Sequence, residues 1–503
     1  MGNQVSAQES EPQKSSESSI IKQIAHASII TASAAVIAMI LTLAKGKAIA
    51  SVLGPEGIGL NAQLSNLQFL MAGLASFGMS LGLSKFVSQH LASGSYSRLA
   101  NTWVSARLIC LFSSIGIFIF VVIFLQPLSV VLLGDSSTQI YLLIIGITIP
   151  ISALSSLYGG LLSGTRSVKS IASISIVSSL GSLVVTIPLV LFLGLIGVVV
   201  QITLSAGIAL ALYLFYGKRA VEGWAHQRTP LRIYKNESVE LLTFGAFSLF
   251  TVVAYQLTLL YAQTVVIHQG GLMANGLFQS TWGIWYPIIA LSMSSISLYV
   301  LPGISASSDE DHIQEQVNAS LRLLLLVTTP ISFVMILFSR NILDLVYSPE
   351  FSQAAILLQL MTLGTAFRMF AFPLALRFVA KGRLKFPFLG EAIWYLSLAI
   401  SMSILLPVIG LTATGIAVLL SQVLYMLFIL LGAKYIFGIS YSVQNLNASV
   451  ASLALPVCLM LSMLVLSVMW FLLVAIGILI AWLIYVPSKS EWSWLIDRLR
   501  HSL

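Results

Sequence analysis

Long apolar runs, each close to the length of a membrane-spanning helix, recur along the chain from about residue 28 to residue 485. Polar clusters or Gly and Pro residues separate the runs. A helix that crosses the hydrocarbon core of a bilayer needs roughly 20 apolar residues. The pattern therefore predicts about fourteen transmembrane helices, at 24–52, 62–88, 103–126, 139–163, 170–193, 195–216, 241–267, 276–301, 318–339, 354–379, 386–408, 411–433, 448–467 and 469–486.

Composition supports this all-α, polytopic fold class. Of the 503 residues, 58% are hydrophobic and only 8% are charged, whereas about 25% of a soluble globular chain is charged. Most of the 25 Lys and Arg residues fall in loops on one side of the predicted spans, and cytoplasmic loops accumulate positive charge. We therefore expect a multi-pass protein of the bacterial inner membrane with both termini in the cytoplasm.

The longest interior polar segment divides the spans into two similar halves. An offset of 217 residues places Gly59 on Gly276 and Arg166 on Arg383. The match predicts two six-helix lobes related as parallel repeats, which are common in transporters. The predicted organisation is a disordered cytoplasmic tail, an N-lobe, a cytoplasmic linker, a C-lobe, two further helices and an amphipathic cytoplasmic tail, at 1–23, 24–216, 217–240, 241–433, 434–486 and 487–503.

Sequence motifs for catalysis or metal binding are missing. The chain has neither a P-loop nor a His-Glu-x-x-His sequence, and its six histidines lack the spacing of metal ligands. We therefore expect no catalytic residues, no cofactor, no metal and no enzymatic activity.

Ionisable side chains inside the spans are the strongest functional candidates, because charge at membrane depth is costly and usually serves a function. Arg368 precedes Lys381 by thirteen residues, roughly 20 Å of helix, so it cannot easily reach the cytoplasm and should face a cavity. Arg377 can reach the headgroups and so has both an interfacial and a lumenal interpretation. Lys45 and Lys47 project in different directions, which allows at most one of them, preferably Lys45, to point into a lumen.

Two further residues in the same helices have candidate roles. Glu391 is the only acidic residue in the predicted spans, and it could pair with Arg377 or Arg368, titrate as a coupling site, or lie at headgroup level. Pro373 removes one helix hydrogen bond and is a candidate hinge.

Uncharged polar and aromatic side chains suit the hydroxyls and rings of sugars. Gln63 and Gln263 are the amides that we select as candidate lumen residues. Trp282, Trp285 and Tyr286 lie near the end of a predicted helix, so they could stack on sugars or belong to an interfacial aromatic belt.

Two stretches resemble a known family. The sequence LAKGKAIASVLGPEGIGLNAQLSNLQFLMAGLASFGMSLGLSKFVSQ (Leu43–Gln89) is similar to the first hairpin of Wzx-type polysaccharide flippases. Leu358–Glu391, which contains FRMFAFPLALRFVAKGRLKFPFLGE, resembles the tenth and eleventh helices of the same family. These O-antigen and enterobacterial-common-antigen flippases belong to the multidrug/oligosaccharidyl-lipid/polysaccharide exporter superfamily.

The resemblance implies a pair of lobes around a cationic lumen that opens alternately to the two sides of the membrane. The expected cargo is an oligosaccharide on undecaprenyl pyrophosphate, moved from the cytoplasmic to the periplasmic leaflet. Its diphosphate would meet Arg368 and Lys45. Membrane lipids and the polysaccharide polymerase machinery are the other implied partners, and no nucleic acid is expected.

The alternative function is a cation-coupled multidrug exporter of the same superfamily. Such exporters typically carry acidic groups in their lobe cavities. The predicted spans one to ten hold no acidic residue, which disfavours this branch.

Overall fold

The structure, a computed structural model, describes residues 11–222, 230–438 and 441–465, together with Gly477 and Ile480. Regular structure in these residues is helical, which confirms the predicted all-α polytopic fold. A backbone in hydrocarbon must satisfy its hydrogen bonds internally, and a helix does so within one segment. The α-helices are α1 (Glu11–Ala75), α2 (Met79–Ala92), α3 (Tyr96–Ile123), α4 (Leu125–Leu133), α5 (Gln139–Gly164), α6 (Val168–Glu222), α7 (Lys235–Ala306), α8 (Glu310–Leu337), α9 (Ser339–Val346), α10 (Ala355–Ala380), α11 (Lys385–Ile409), α12 (Thr412–Phe437) and α13 (Val443–Val465).

Several predicted segments lie wholly or partly outside the described residues. They are residues 1–10 of the polar tail, residues 223–229 of the linker, the tail 487–503, and helix 469–486 apart from Gly477 and Ile480. The helix α1 begins at Glu11, so it includes residues that the sequence assigns to the tail 1–23.

Within the part of the chain that the structure describes, nine helices are long and apolar enough to cross a membrane. Three of them, α1, α6 and α7, are double-length helices, each broken at one glycine. The backbone angles there are φ 59°, ψ −153° at Gly54, φ 58°, ψ −132° at Gly194 and φ 72°, ψ −173° at Gly271. Only glycine adopts this region readily. The helices α6 and α7 each hold two predicted spans. The helix α1 holds the predicted span 24–52 and only the first part of 62–88, because a turn at residues 76–78 separates α1 from α2.

The turns at Gly54 and Gly271 are shorter than the sequence pattern predicts. We expected the second and eighth spans to begin at residues 62 and 276, but helix resumes directly after each glycine. A single residue with positive φ is enough to break the helix, so the polar positions beside it stay helical.

Element lengths repeat between the two halves of the chain. The helices α3 and α8 each have 28 residues, and α5 and α10 each have 26. The short helices α4 and α9 follow α3 and α8, and a 3-10 helix precedes both α5 and α10. Gly54 and Gly271 also stand at the predicted offset of 217 residues, so the backbone carries the internal repeat.

The chain divides into two compact units. The first comprises Met1–Ile49, Leu67–Leu128 and Ser137–Val253, and the second comprises Ala50–Asn66, Ser129–Ser136 and Ala254–Leu503. These bounds differ from the predicted lobes 24–216 and 241–433, and the lobes stay a prediction.

The first unit has an apolar core between α2, α3 and α5. Trp103 packs edge-to-face on Tyr158, with ring centroids 4.9 Å apart. At Gly160 an added Cβ atom would overlap the carbonyl oxygen of Ser80, so the absence of a side chain lets α5 approach α2.

The second unit contains a glycine contact between the segments that follow the two glycine turns. A Cβ atom at Gly59 would overlap the carbonyl oxygen of Leu272, and one at Gly276 would overlap that of Pro55. The offset of 217 residues exchanges these two contacts, so repeat-related residues meet each other reciprocally. Asn275 adds a hydrogen bond, in which Nδ2 donates to the carbonyl oxygen of Gly59 at 2.8 Å.

We expect Gly276→Ala to lower the melting temperature of the detergent-solubilised protein, because its Cβ atom meets backbone that cannot move aside. Overpacking of this kind costs about 1–3 kcal/mol. The matched control is Gly73→Ala on α1, where an added Cβ atom has no heavy atom within 4 Å among the described residues. Equal melting temperatures for the two variants would contradict this close contact between Gly276 and Pro55.

Candidate functional site

The helix α10 packs against α8, α12 and α13 in the second unit, and it carries two buried arginines. Arg368 is 7% exposed and Arg377 is 2% exposed. They lie two and a half helical turns apart and so project from opposite sides of α10. Each must find its own partners, because an unpaired buried charge costs several kcal/mol.

Arg368 is paired with Glu391 of α11. Its Nη2 donates a hydrogen bond to Oε1 of Glu391 at 2.5 Å. The sequence left several roles open for Glu391, and the structure shows the ion pair with Arg368. Arg368 is therefore a buried cation with an adjacent acid.

Two aromatic rings enclose the guanidinium group of Arg368. Its central carbon lies 3.9 Å from the ring centroid of Tyr425 on α12 and 5.1 Å from that of Trp394 on α11. The negative faces of aromatic rings attract cations. These rings therefore share the stabilisation of the charge with Glu391.

More rings extend this group onto α7. Tyr255 stacks on Tyr286 with centroids 5.4 Å apart, and it lies 6.4 Å from Trp394 and 6.3 Å from Tyr395. Trp282 stacks on Tyr286 at 5.7 Å with an interplanar angle of 10°. We call the whole set the Arg368 cluster, and its members are Arg368, Glu391, Trp394, Tyr395, Tyr425, Tyr255, Trp282 and Tyr286.

The Arg368 cluster has a buried layer and a partly exposed layer. Arg368, Trp282, Trp394 and Tyr425 are buried. The side chain of Glu391 is 33% exposed, and Tyr255, Tyr286 and Tyr395 are also partly exposed. The accessible part of the cluster thus presents one carboxylate and three phenol rings.

Two donors in the buried layer are unpaired. Nη1 of Arg368 and Nε1 of Trp394 have no hydrogen-bond partner among the described residues. Buried donors normally have partners, and both lie in side chains more than nine-tenths buried. The cluster therefore keeps unused hydrogen-bonding capacity.

Arg377 forms a separate group at the end of α10. It pairs with Glu310, whose other oxygen lies 3.3 Å from Nζ of Lys381. Its guanidinium carbon lies 4.6 Å from the ring centroid of Phe437. Glu310 is the first residue of α8 and its side chain is 62% exposed, so this pair links the ends of two helices.

The candidate amides Gln63 and Gln263 are fully buried in the second unit. Nε2 of Gln63 donates to the Leu132 carbonyl and to Oγ1 of Thr264, both at 2.9 Å. Gln263 accepts from Asn66 at 2.9 Å and donates to a further amide, that of Gln279, at 2.8 Å. These bonds link α1 with α7, and a substrate-binding role for either glutamine stays a prediction.

Lys45 and Lys47 lie on α1 in the first unit. Lys45 is partly buried and Lys47 is exposed, in keeping with their different directions on the helix. Within the described residues, no carboxylate lies within ion-pair distance of Lys45. Pro373 is buried in α10, which continues through it to Ala380, and its hinge role stays a prediction.

The sequence pattern did not lead us to expect Trp394, Tyr395 or Tyr425 at this site. A signal was available on α11, because residues three and four positions apart share one helix face. Glu391, Trp394 and Tyr395 have this spacing. Tyr425 has no comparable signal, since only the packing of α12 brings it onto Arg368.

We expect Glu391→Gln to lower the melting temperature more than Arg368→Met does. The first leaves an uncompensated charge on a buried arginine, whereas the second leaves it on a partly exposed glutamate. Breaking a fully buried pair costs about 3–5 kcal/mol, and the cost here is smaller because Glu391 is accessible.

The double variant Arg368→Met/Glu391→Gln should recover part of this loss, as a double-mutant cycle measures. The control is Lys381→Met, which removes one exposed ion-pair contact and should change stability little. An unchanged melting temperature in Glu391→Gln would contradict the ion pair.

The chain is similar in sequence to two known flippases. The Lipid III flippase of Escherichia coli (strain K12) is 26% identical over 416 residues, which cover 80% of this chain and 96% of that protein. The Lipid III flippase of Shigella flexneri matches equally well.

Among solved structures, the fold is similar to that of the Lipid II flippase MurJ in an inward closed conformation. The TM-score is 0.73 at 18% identity, with 93% of this chain and 100% of that chain covered. A multidrug resistance MATE family transporter of the MOP superfamily, in an inward-facing conformation, gives a TM-score of 0.68 at 15% identity, with 80% and 95% covered. At these identities the likeness shows a shared fold.

Residues 24–276 match the model of the family described as Polysaccharide biosynthesis protein. Because this match extends over half of the sequence, the chain belongs to the Polysaccharide biosynthesis protein family.

Proposed function

We propose that the protein is a flippase for lipid-linked oligosaccharides in the bacterial inner membrane. The observation that carries the proposal is the Arg368 cluster, a charged and aromatic group held by predominantly apolar helices. The family match and the Lipid III flippase relatives support this class of function.

The chemistry of the cargo explains why such a group is useful. A lipid-linked oligosaccharide has a polar headgroup that cannot cross hydrocarbon and a prenyl tail that can remain in it. A carrier must therefore offer the headgroup polar contacts at membrane depth, where ionisable side chains are expensive and usually functional. The accessible part of the Arg368 cluster offers a carboxylate and phenol groups in one place.

We propose direct roles in substrate binding for two basic residues, each considered in its own unit. Lys45 of the first unit has no ion-pair partner among the described residues, so its charge is available to a diphosphate. Arg368 of the second unit is neutralised by Glu391. A diphosphate can pair with Arg368 only in exchange for this carboxylate.

Within this class of lipids, the specific substrate that we propose is an O-antigen-like or enterobacterial-common-antigen-like unit on undecaprenyl pyrophosphate. The proposed direction is from the cytoplasmic to the periplasmic leaflet by alternating access. Both termini are proposed to be cytoplasmic, as the distribution of Lys and Arg indicates.

We expect purified protein in vesicles to flip a fluorescent undecaprenyl-pyrophosphate saccharide, as measured by its accessibility to a membrane-impermeant quencher. Arg368→Ala and Lys45→Ala should together slow flipping at least tenfold, because the headgroup loses two cationic contacts. Arg340→Ala, which removes an exposed cation on α9, is the matched control. Undiminished flipping in the double variant would contradict the binding roles, and no protein-dependent flipping of any such lipid would contradict the function.

The second candidate is a cation-coupled exporter, for which the fold shared with the MATE transporter is the supporting observation. Its acidic group would be Glu391, the same residue that pairs with Arg368. An arginine at 2.5 Å satisfies that carboxylate and competes with a transported cation.

We therefore expect Glu391→Gln to leave the accumulation of cationic dyes in cells unchanged. Cells that lack the protein provide the baseline for this measurement. Protein-dependent dye efflux that Glu391→Gln abolishes would instead favour the exporter.

A further inference from the structure

We propose that the partly exposed face of the Arg368 cluster is a saccharide subsite, which stacks a sugar ring of the headgroup on its tyrosines. The face consists of Tyr255, Tyr286, Tyr395 and the free oxygen of Glu391. This inference rests on the proposed function and assigns the part of the substrate that each group contacts.

The tyrosine rings provide the stacking surface. One face of a pyranose ring carries several C–H bonds, and aromatic faces attract such weakly positive hydrogens through the ring quadrupole. The rings of Tyr255 and Tyr286 have centroids 5.4 Å apart, and those of Tyr255 and Tyr395 are 6.3 Å apart. The partly exposed portions of these three adjoining rings form an aromatic patch that a sugar can contact.

The buried layer holds this patch in place. Trp282 stacks on Tyr286, and Trp394 lies against both Tyr255 and Tyr395. A binding surface backed by packed aromatic rings loses little conformational entropy when it takes up a ligand.

Glu391 supplies the hydrogen bonds that stacking lacks. Arg368 engages its Oε1 atom, so the position of the carboxylate is fixed while Oε2 can accept from a sugar hydroxyl. Aromatic faces combined with a positioned carboxylate match the alternating apolar and polar surfaces of a sugar.

Charge favours a saccharide over a diphosphate or an organic cation as the ligand of this face. With Glu391 paired to the buried Arg368, the face exposes no cationic group and offers a diphosphate no counter-charge. The adjacent guanidinium of Arg368 in turn neutralises the Glu391 carboxylate, which weakens its attraction for an organic cation. A neutral, hydroxyl-rich ring meets neither penalty.

The test compares the binding of two probes to purified protein in nanodiscs by native mass spectrometry. One probe is undecaprenyl pyrophosphate, and the other is the same lipid carrying chitotriose, maltotriose or a galactose trisaccharide. We expect wild type to bind at least one saccharide-bearing lipid more tightly than the saccharide-free lipid. Tyr286→Ala and Tyr255→Ala should each weaken that binding about tenfold and leave the affinity for undecaprenyl pyrophosphate unchanged.

Conservative and distant variants separate stacking from folding. Tyr286→Phe keeps the ring and should retain most of the affinity. Tyr435→Ala removes a tyrosine of α12 that is 92% exposed, and it should change neither affinity. Comparable melting temperatures of the alanine variants would show that they fold.

Three results would overturn the subsite. They are equal affinity of wild type for all four lipids, equal losses of both probes in the tyrosine variants, or tetraethylammonium binding that the tyrosine variants abolish. A failure of the proposed function is distinct, since wild type would then neither bind nor flip the saccharide-free lipid or any saccharide-bearing one.

Discussion

A charged side chain inside an apolar helix bundle is the constraint around which the second unit is organised. Water solvates charge far better than hydrocarbon does, so each buried arginine of α10 requires a counter-charge and additional polar or aromatic contacts. Arg368 receives Glu391 from α11 and Tyr425 from α12, and Arg377 receives Glu310 from α8. These requirements tie three neighbouring helices to α10 at defined positions.

The hydrocarbon of the bilayer also constrains the backbone. A chain in hydrocarbon cannot leave amide groups unpaired over a long loop, so a turn between spans is favoured when it is short. One glycine with positive φ breaks each of the helices α1, α6 and α7. Two of these glycines, Gly54 and Gly271, are also related by the internal repeat. The glycine contact that follows them has the reciprocal form expected when two copies of one segment pack together, since Gly59 meets Leu272 and Gly276 meets Pro55.

The sequence predicts the span pattern well because burial in lipid requires continuous apolar runs, and such runs are visible without any tertiary information. It predicts the depth of Arg368 for the same reason. It does not select among partners for Glu391, because that choice depends on how α10 and α11 pack. It also misjudges the turn at Gly54, since the polar and glycine-rich positions that follow Gly54 stay helical. The hydrogen-bond partners of Gln63 and Gln263 depend on how α1 and α7 pack, and hydropathy carries no such information.

The two buried arginines of α10 show how similar charges acquire different uses. Arg377 pairs with an exposed glutamate at the start of α8, and Lys381 contacts the same carboxylate. That arrangement lies beside polar loop residues, where water limits the strength of an ion pair, and it suits the joining of helix ends. Arg368 instead contacts one carboxylate, that of Glu391, and the aromatic rings of Trp394 and Tyr425. Its partner Glu391 is held at one oxygen, and the glutamate side chain is 33% exposed. In the proposed subsite this ion pair does more than neutralise a buried charge, because it also fixes the position of a partly exposed carboxylate.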